Sequence, residues 1–192
     1  MNKLIMYFDD NRKCLGDISA PRAEEFAKKI GYDFYLEYKS FYEDGMMRKP
    51  GFIYDNLKES ESIIYADADI VFSNKGCLND IFKKPINISC DNNGICVGFM
   101  AVRNTPETIK LMRIWKDLGL SHNIPFHDQG VMKLLAYHFS WIHDLIYLIP
   151  ENVVSNPRCA SPGSMAHHFW SQSNNRLEDF MKHLIKHYDG IR

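Results

Sequence analysis

An α/β fold, with a mostly parallel central sheet flanked by helices and an antiparallel element in the second half, is predicted from three features of the sequence. Short apolar runs alternate with amphipathic helical stretches over the first 75 residues, the β-α-β-α-β order of a parallel sheet covered by helices. The second half places two apolar strands next to each other, INISCD and GICVGFMAVR, joined by the turn NNG. At 192 residues the chain is long enough for one continuous core and reads as a single domain, 1–192.

The elements follow in order. LIMYF (4–8) is a short apolar run, read as a buried strand. SAPRAEEFAKKIG predicts a helix with Pro21 near its first turn and Gly31 just past its end; Ala23, Phe26, Ala27 and Ile30 form its apolar stripe. Glu24–Lys28 and Glu25–Lys29 are (i, i+4) pairs on its wet side. In DFYLEYK, Phe34, Leu36 and Tyr38 alternate with polar or amphipathic neighbours, as in a strand. KPGFIYDNLKE predicts a helix opening at Pro50, and SIIYADADIVF a third strand. After the two strands of the second half, Thr105 and Pro106 open the helix TPETIKLMRIWKDL, closed by Gly119. DQGVMKLLAYH is a further helix, followed by the apolar segment LIYLIP. Residues 151–173 are rich in proline, glycine and serine and read as a surface loop of the kind that often forms a lid. Asn175 and Glu178 resemble a capping box for a last helix with the stripe Leu177, Phe180, Met181, Leu184, Ile185 and Tyr188.

Composition excludes several function classes. The formal net charge is -1 with acids and bases interleaved, so neither a basic stripe for nucleic acid nor an acidic tail is present. No run approaches the roughly 20 apolar residues of a membrane helix, and the N-terminus does not read as a signal peptide. The five cysteines are odd in number and form no CxxC pair, which suits reduced thiols in a cytoplasmic protein.

The informative stretch is YADADIVF (65–72). Buried carboxylates need a partner, yet positions 63–66 and 70–71 offer no polar group besides the Tyr65 hydroxyl. Asp67 and Asp69 are two apart, so on a strand they point to the same side, where two like charges call for a cation. Oxygen donors suit Mg²⁺ or Mn²⁺, and ligands of an open parallel sheet bind beyond the carboxyl ends of its strands. The alternative is a pair of solvated acids at a strand end. Gly98 interrupts an apolar strand, as at a close approach of backbone or ligand, or at a β-bulge.

An apolar strand ending in DxD after two βα units resembles the GT-A fold of metal-dependent nucleotide-sugar glycosyltransferases. GFMAVRNTPE with Trp115 is similar to the strand and helix that face the acceptor in such families, and HDQG (127–130) to the aspartate-bearing turn near the donor sugar. AHHFWSQS (166–173) resembles their C-terminal HxW…S segment. The short chain looks like a compact bacterial or viral form, or the catalytic part of a larger assembly. The resemblance implies a nucleoside-diphosphate-sugar donor, uridine by family habit, and a carbohydrate acceptor hydroxyl. It assigns residues 1–75 to the nucleotide and 76–192 to the acceptor.

Residue by residue, it implies that Asp69 binds the metal directly and that Asp67 contacts the ribose, the metal through water, or both. Of His167 and His168, spacing to Trp170 and Ser173 selects His168 as the metal or diphosphate contact. A histidine donor tilts the metal towards Mn²⁺. Tyr7 and Phe8 end the first strand, where this fold receives the base, or are plain core. Arg48 and Lys49 are placed to neutralise diphosphate charge, or are solvated loop cations. Asp128 is a helix cap, or the catalytic carboxylate that accepts the acceptor's proton or orients the donor sugar. Two other readings compete. DADIV fits the DxDx[VT] nucleophile motif of HAD-type Mg²⁺-dependent phosphatases, though that motif belongs on a first strand. The other is a nucleotide-sugar-binding domain without catalysis.

Overall fold

The structure, a computed structural model, describes residues 1–40, 45–73, 75, 77–91, 94–119, 127–155, 164–169 and 174–189; within its helices the side chains of 45–47, 119, 127, 174–177 and 187–189 lie outside that description. Strands β1 (Asn2–Phe8), β2 (Asp33–Tyr38), β3 (Ser62–Ala66), β5 (Ile86–Asp91), β6 (Gly94–Arg103) and β7 (Ile146–Ile149) form a central sheet in the spatial order β2-β1-β3-β6-β5-β7. β6 runs antiparallel to both its neighbours, while β2, β1 and β3 are mutually parallel and β7 is parallel to β5. This is the mixed α/β architecture expected from the sequence, with its antiparallel element in the second half.

Strand alternation divides the core between the two faces. Leu4, Met6 and Phe8 of β1 face helix α1 (Lys13–Ile30), which contributes Ala23, Phe26 and Ala27, and helix α7 (Asn174–Asp189), which contributes Met181. Ile5 and Tyr7, with Ile63 and Tyr65 of β3, face the other way. They pack with Phe52, Ile53 and Leu57 of α2 (Gly45–Lys58), Trp115 of α4 (Pro106–Gly119) and Val131, Met132 and Leu135 of α5 (His127–His138).

Several elements differ from the sequence reading. Helix α1 begins at Lys13, so Pro21 lies inside it rather than in its first turn; Pro21 stands on the exposed face of the helix. Helix α2 likewise starts before Pro50, so Arg48 and Lys49 belong to the helix and not to a preceding loop. On β2 the alternation of Phe34, Leu36 and Tyr38 does not mark a buried face, because β2 is an edge strand on which Tyr35, Leu36 and Tyr38 are all exposed. Phe180 is 54% exposed, whereas among the described side chains of α7 Met181, Leu184 and Ile185 contact the core; Leu177 and Tyr188 of the expected stripe lie outside that description. Two short α-helices were unforeseen, α3 (Leu78–Ile81) ahead of β5 and α6 (Ser140–Leu145) ahead of β7.

The largest difference concerns SIIYADADIVF. It is two strands, not one. β3 stops at Ala66, Asp67–Asp69 form a turn, and β4 (Ile70–Phe72) enters a separate three-stranded sheet of order β4-β9-β8. The partners β8 (Val154–Ser155) and β9 (Ala166–His168) come from the stretch read as a surface loop. Every residue from Ser164 to Phe169 is buried, while residues 156–163 and 170–173 of the expected lid lie outside the described residues. Apolar residues flank the turn on both sides, so hydrophobic pattern alone carried no mark of the break.

Candidate active site

Hydrogen bonds from several elements of the fold hold the turn at the end of β3. The Asp67 amide donates to the Gly98 carbonyl of β6 at 2.8 Å, and the Ile70 amide donates to the Asp67 carbonyl at 3.1 Å. From α1, the Ser19 hydroxyl donates to the Ala68 carbonyl at 2.8 Å. Antiparallel pairing of β4 with β9 sets Ile70 opposite His168, and the Phe169 amide donates to the Asp69 carbonyl at 2.9 Å. A residue from near the C-terminus is thereby laid beside the two aspartates.

Asp67, Asp69 and His168 each offer one donor atom within 4.8 Å of the others. His168 Nε2 lies 3.4 Å from Asp69 Oδ1. Burial works against both charges, but each partner stabilises the other: the Asp69 carboxyl is held below the usual carboxylate range and the His168 imidazole well above its ordinary value. Burial raises the Asp67 carboxyl, opposed by Lys49 and reinforced by Asp69. The alternation inferred for the histidine pair is present, since His167 turns the other way and its Nδ1 meets the Ser155 hydroxyl at 2.5 Å. His168 is buried, not a surface histidine of a polar loop.

Gly98 makes this arrangement sterically feasible. A Cβ there would lie 2.3 Å from His168 Cε1, 2.7 Å from Nε2 and 3.0 Å from Asp67 Oδ2. The pairing of β5 with β6 also shifts register at Ile88/Ser89, opposite this segment. Both sequence-level explanations of Gly98, close approach and bulge, describe the same feature.

On the other side of Asp67 stands Lys49, which is 5% exposed. Its Nζ is 3.1 Å from the Asp67 carboxylate and 2.7 Å from Asp128 Oδ2. In spite of burial, Asp128 first and then Asp67 hold the ammonium well above its ordinary value. Asp128, the second residue of α5, is therefore engaged by a cation from α2, and its backbone carbonyl accepts a 2.9 Å bond from Trp115 Nε1. The Tyr65 hydroxyl donates to Asp67 Oδ1, and Tyr7 in turn bonds Tyr65. Tyr7 and Phe8 are both buried at the end of β1, with the Tyr7 ring 5.3 Å from Phe52 and the Phe8 ring 5.7 Å from Tyr38. Arg48 pairs with Glu37 of β2 through two 3.2 Å contacts. Trp170 and Ser173 lie outside the described residues.

Residues 27–183 match the family model described as nucleotide-diphospho-sugar transferase. The chain belongs to that family. Solved structures agree in fold with this transferase. One is a glycosyltransferase involved in the glycosylation of the major capsid of PBCV-1, with TM-score 0.75, 13% sequence identity and coverage of 95% of this chain and 98% of that one. Another is the glycosyltransferase GlyE of Streptococcus pneumoniae TIGR4, with TM-score 0.63 and 14% identity; the alignment covers 95% of this chain and 60% of GlyE. A search of curated proteins found no significant match. The phosphatase reading of DADIV is thus set aside in favour of a glycosyltransferase.

The donor set of the transferase fits a divalent cation. Asp69 Oδ1 is fully buried and its contact with His168, at 3.4 Å, is too long for a strong hydrogen bond, so it has coordination to spare. Two carboxylate oxygens and an imidazole nitrogen meet where Gly98 leaves room. Sequence reasoning noted the Tyr65 hydroxyl as the one polar group flanking the aspartates but gave it no role, and it overlooked Ser19 and Cys96 as neighbours of this centre. For Tyr65 a signal existed, since it stands two positions before Asp67 in YADAD. Nothing local pointed to Ser19 or Cys96.

Proposed function

We propose that this transferase moves a sugar from a nucleoside diphosphate, uridine diphosphate being the favoured donor, to a hydroxyl of a carbohydrate acceptor, with Mn²⁺ or Mg²⁺ held by Asp67, Asp69 and His168. The observation that carries the reading is the convergence of those three donors, two from one turn and the third from near the C-terminus, in a chain that belongs to the nucleotide-diphospho-sugar transferase family. The histidine donor favours Mn²⁺ over Mg²⁺. When bound, the cation supplies Lewis-acid stabilisation of the departing diphosphate.

The chain's own groups perform the rest. Tyr65 and Lys49 orient Asp67 from two directions. Lys49 contributes a buried positive charge next to the donor site, and Tyr7 and Phe8 shape the base end of β1. Asp128, held by Lys49 and by the Trp115 contact at its carbonyl, is the catalytic carboxylate, placed to orient the donor sugar or to take the acceptor's proton. Trp170 and Ser173 complete the donor site in this assignment. Residues 1–75 serve the nucleotide and 76–192 the acceptor, within one domain.

A thermal-shift panel with UDP, GDP and inorganic phosphate, each with and without Mn²⁺, tests the assignment. At about 100 times its dissociation constant the correct ligand adds roughly 2.7 kcal/mol of stability. The expected result is a shift with UDP that requires Mn²⁺ and is lost in Asp69→Ala. Stabilisation by phosphate alone, with no response to either nucleotide, would overturn the reading. Binding without release of UDP from any UDP-sugar in the presence of acceptor glycans would favour a non-catalytic binding domain.

A further inference from the structure

We propose that Cys96 is a positioning residue for the metal centre: its sulfur holds the Nδ1 edge of the His168 ring so that Nε2 is presented to the cation. The inference rests on the assignment of Asp67, Asp69 and His168 as the metal's donors.

Cys96 is buried on β6, and its Sγ lies 3.5 Å from His168 Nδ1. On the opposite side of the ring, Nε2 faces Asp69 Oδ1. The two imidazole nitrogens are distinct, and the partner of one decides which of them is available to a metal. With a cation at Nε2 the ring keeps its proton on Nδ1, where the sulfur is the acceptor. A sulfur contact is weak, so its effect is to choose between ring orientations.

Strand geometry explains why Cys96 can do this. Residues 96 and 98 of β6 both reach His168, one with a thiol at the ring's edge and the other with bare backbone beneath Cε1. Rotating the ring by half a turn would put a C–H against the sulfur and aim Cε1 at Asp69. The thiol disfavours that orientation, and Gly98 permits the close packing that makes the choice matter.

Mn²⁺ binding, followed by the electron paramagnetic resonance signal of the free ion, tests the proposal in the unaltered protein and in Cys96→Ser, Cys96→Ala, Cys96→Val, His168→Ala and the Cys96→Ala/His168→Ala pair. Urea unfolding in EDTA reports whether each variant is folded. Cys96→Ala and Cys96→Val should each weaken Mn²⁺ binding about tenfold, the lower end of what losing such an outer contact does. Cys96→Ser, which keeps an acceptor, should stay within about threefold. The double variant should bind no more weakly than His168→Ala, because Cys96 acts only through the histidine. Affinity unchanged in Cys96→Val, equal losses in the serine and alanine variants, or additive losses in the pair would overturn the role of Cys96. Unchanged affinity in His168→Ala is a different result: it removes His168 from the donor set, and the inference falls with that assignment.

Discussion

Gly98 and Lys49 show how single residues decide what this centre can do. At Gly98 the conflict is with the buried imidazole of His168, and the ring has little room to retreat. Gly98→Ala should therefore lower Mn²⁺ affinity by at least about tenfold, because the histidine is pushed out of line. The same change should reduce stability without metal by about 1–3 kcal/mol, the usual range for overpacking. Metal titration and urea unfolding of one preparation separate the two effects. Lys49 poses the opposite problem, since removing it leaves two carboxylates facing each other in a largely dry site. Lys49→Met is expected to destabilise the protein by about 3–5 kcal/mol, as for other broken buried ion pairs. A loss below about 1 kcal/mol in urea unfolding would show that Asp67 and Asp128 do not depend on the lysine.

At the scale of elements, helix ends are fixed by residues a few positions apart in the chain. Helix α1 closes on Gly31 in the left-handed conformation, φ 73 and ψ 31, with the Gly31 amide bonded back to the last turn and the Tyr32 amide donating to the Ala27 carbonyl at 2.9 Å. No atom outside its immediate neighbours lies within 4 Å of where a Cβ would stand. Gly31→Ala is thus a test of backbone strain alone and should lower stability by about 1 kcal/mol, read from the urea midpoint at constant slope. Helix α4 opens on reciprocal bonds, Thr105 amide to Thr108 hydroxyl at 2.9 Å and Thr108 amide to Thr105 hydroxyl at 3.2 Å. Both signals, Gly31 and Thr105, stand in the sequence because a cap is made by residues a few positions apart. The start of α1 was missed for a related reason: Pro21 reads locally as a first-turn residue, and its tolerance mid-helix depends on an exposed face that local pattern does not report.

For the molecule as a whole, the two adjacent histidines of β9 give stability a pH dependence with opposite signs. Burial pushes the His167 imidazole down to about 4, whereas in the unfolded chain it takes up a proton near the ordinary value of about 6.5. Between those limits the unfolded state binds more protons, so stability falls as the pH drops, by roughly 3 kcal/mol in all. His168 is raised by Asp69, so it gives stability that is fully present below about pH 6.5 and is lost as pH rises through its folded value. In EDTA, urea unfolding at about pH 5, 6.5 and 8 should find these two contributions best balanced near pH 6.5. A steady rise in stability up to pH 8 would contradict the His168–Asp69 pair. Mn²⁺ must displace the proton from His168, so its affinity should increase with pH over the range in which the metal-free protein weakens.

Much of the molecule is legible in its sequence. The order of strands and helices as far as β3, the turn back between β5 and β6, the glycine that ends α1 and the opposite directions of His167 and His168 all rest on local spacing or on a short motif. The aspartate pair stood out because it interrupts an otherwise apolar run. What spacing could not supply was the break after Ala66, the passage of β4 and β9 into a second sheet, and the partners of the aspartates. Cys96 and His168 are 72 residues apart, and Lys49 meets Asp128 only because α2 and α5 pack on the same face of the sheet. Periodicity records which face of an element is apolar, since that is a property of neighbours in the chain. Which charged group is carried to which other one is settled when whole elements pack, and that depends on the shape of the entire core.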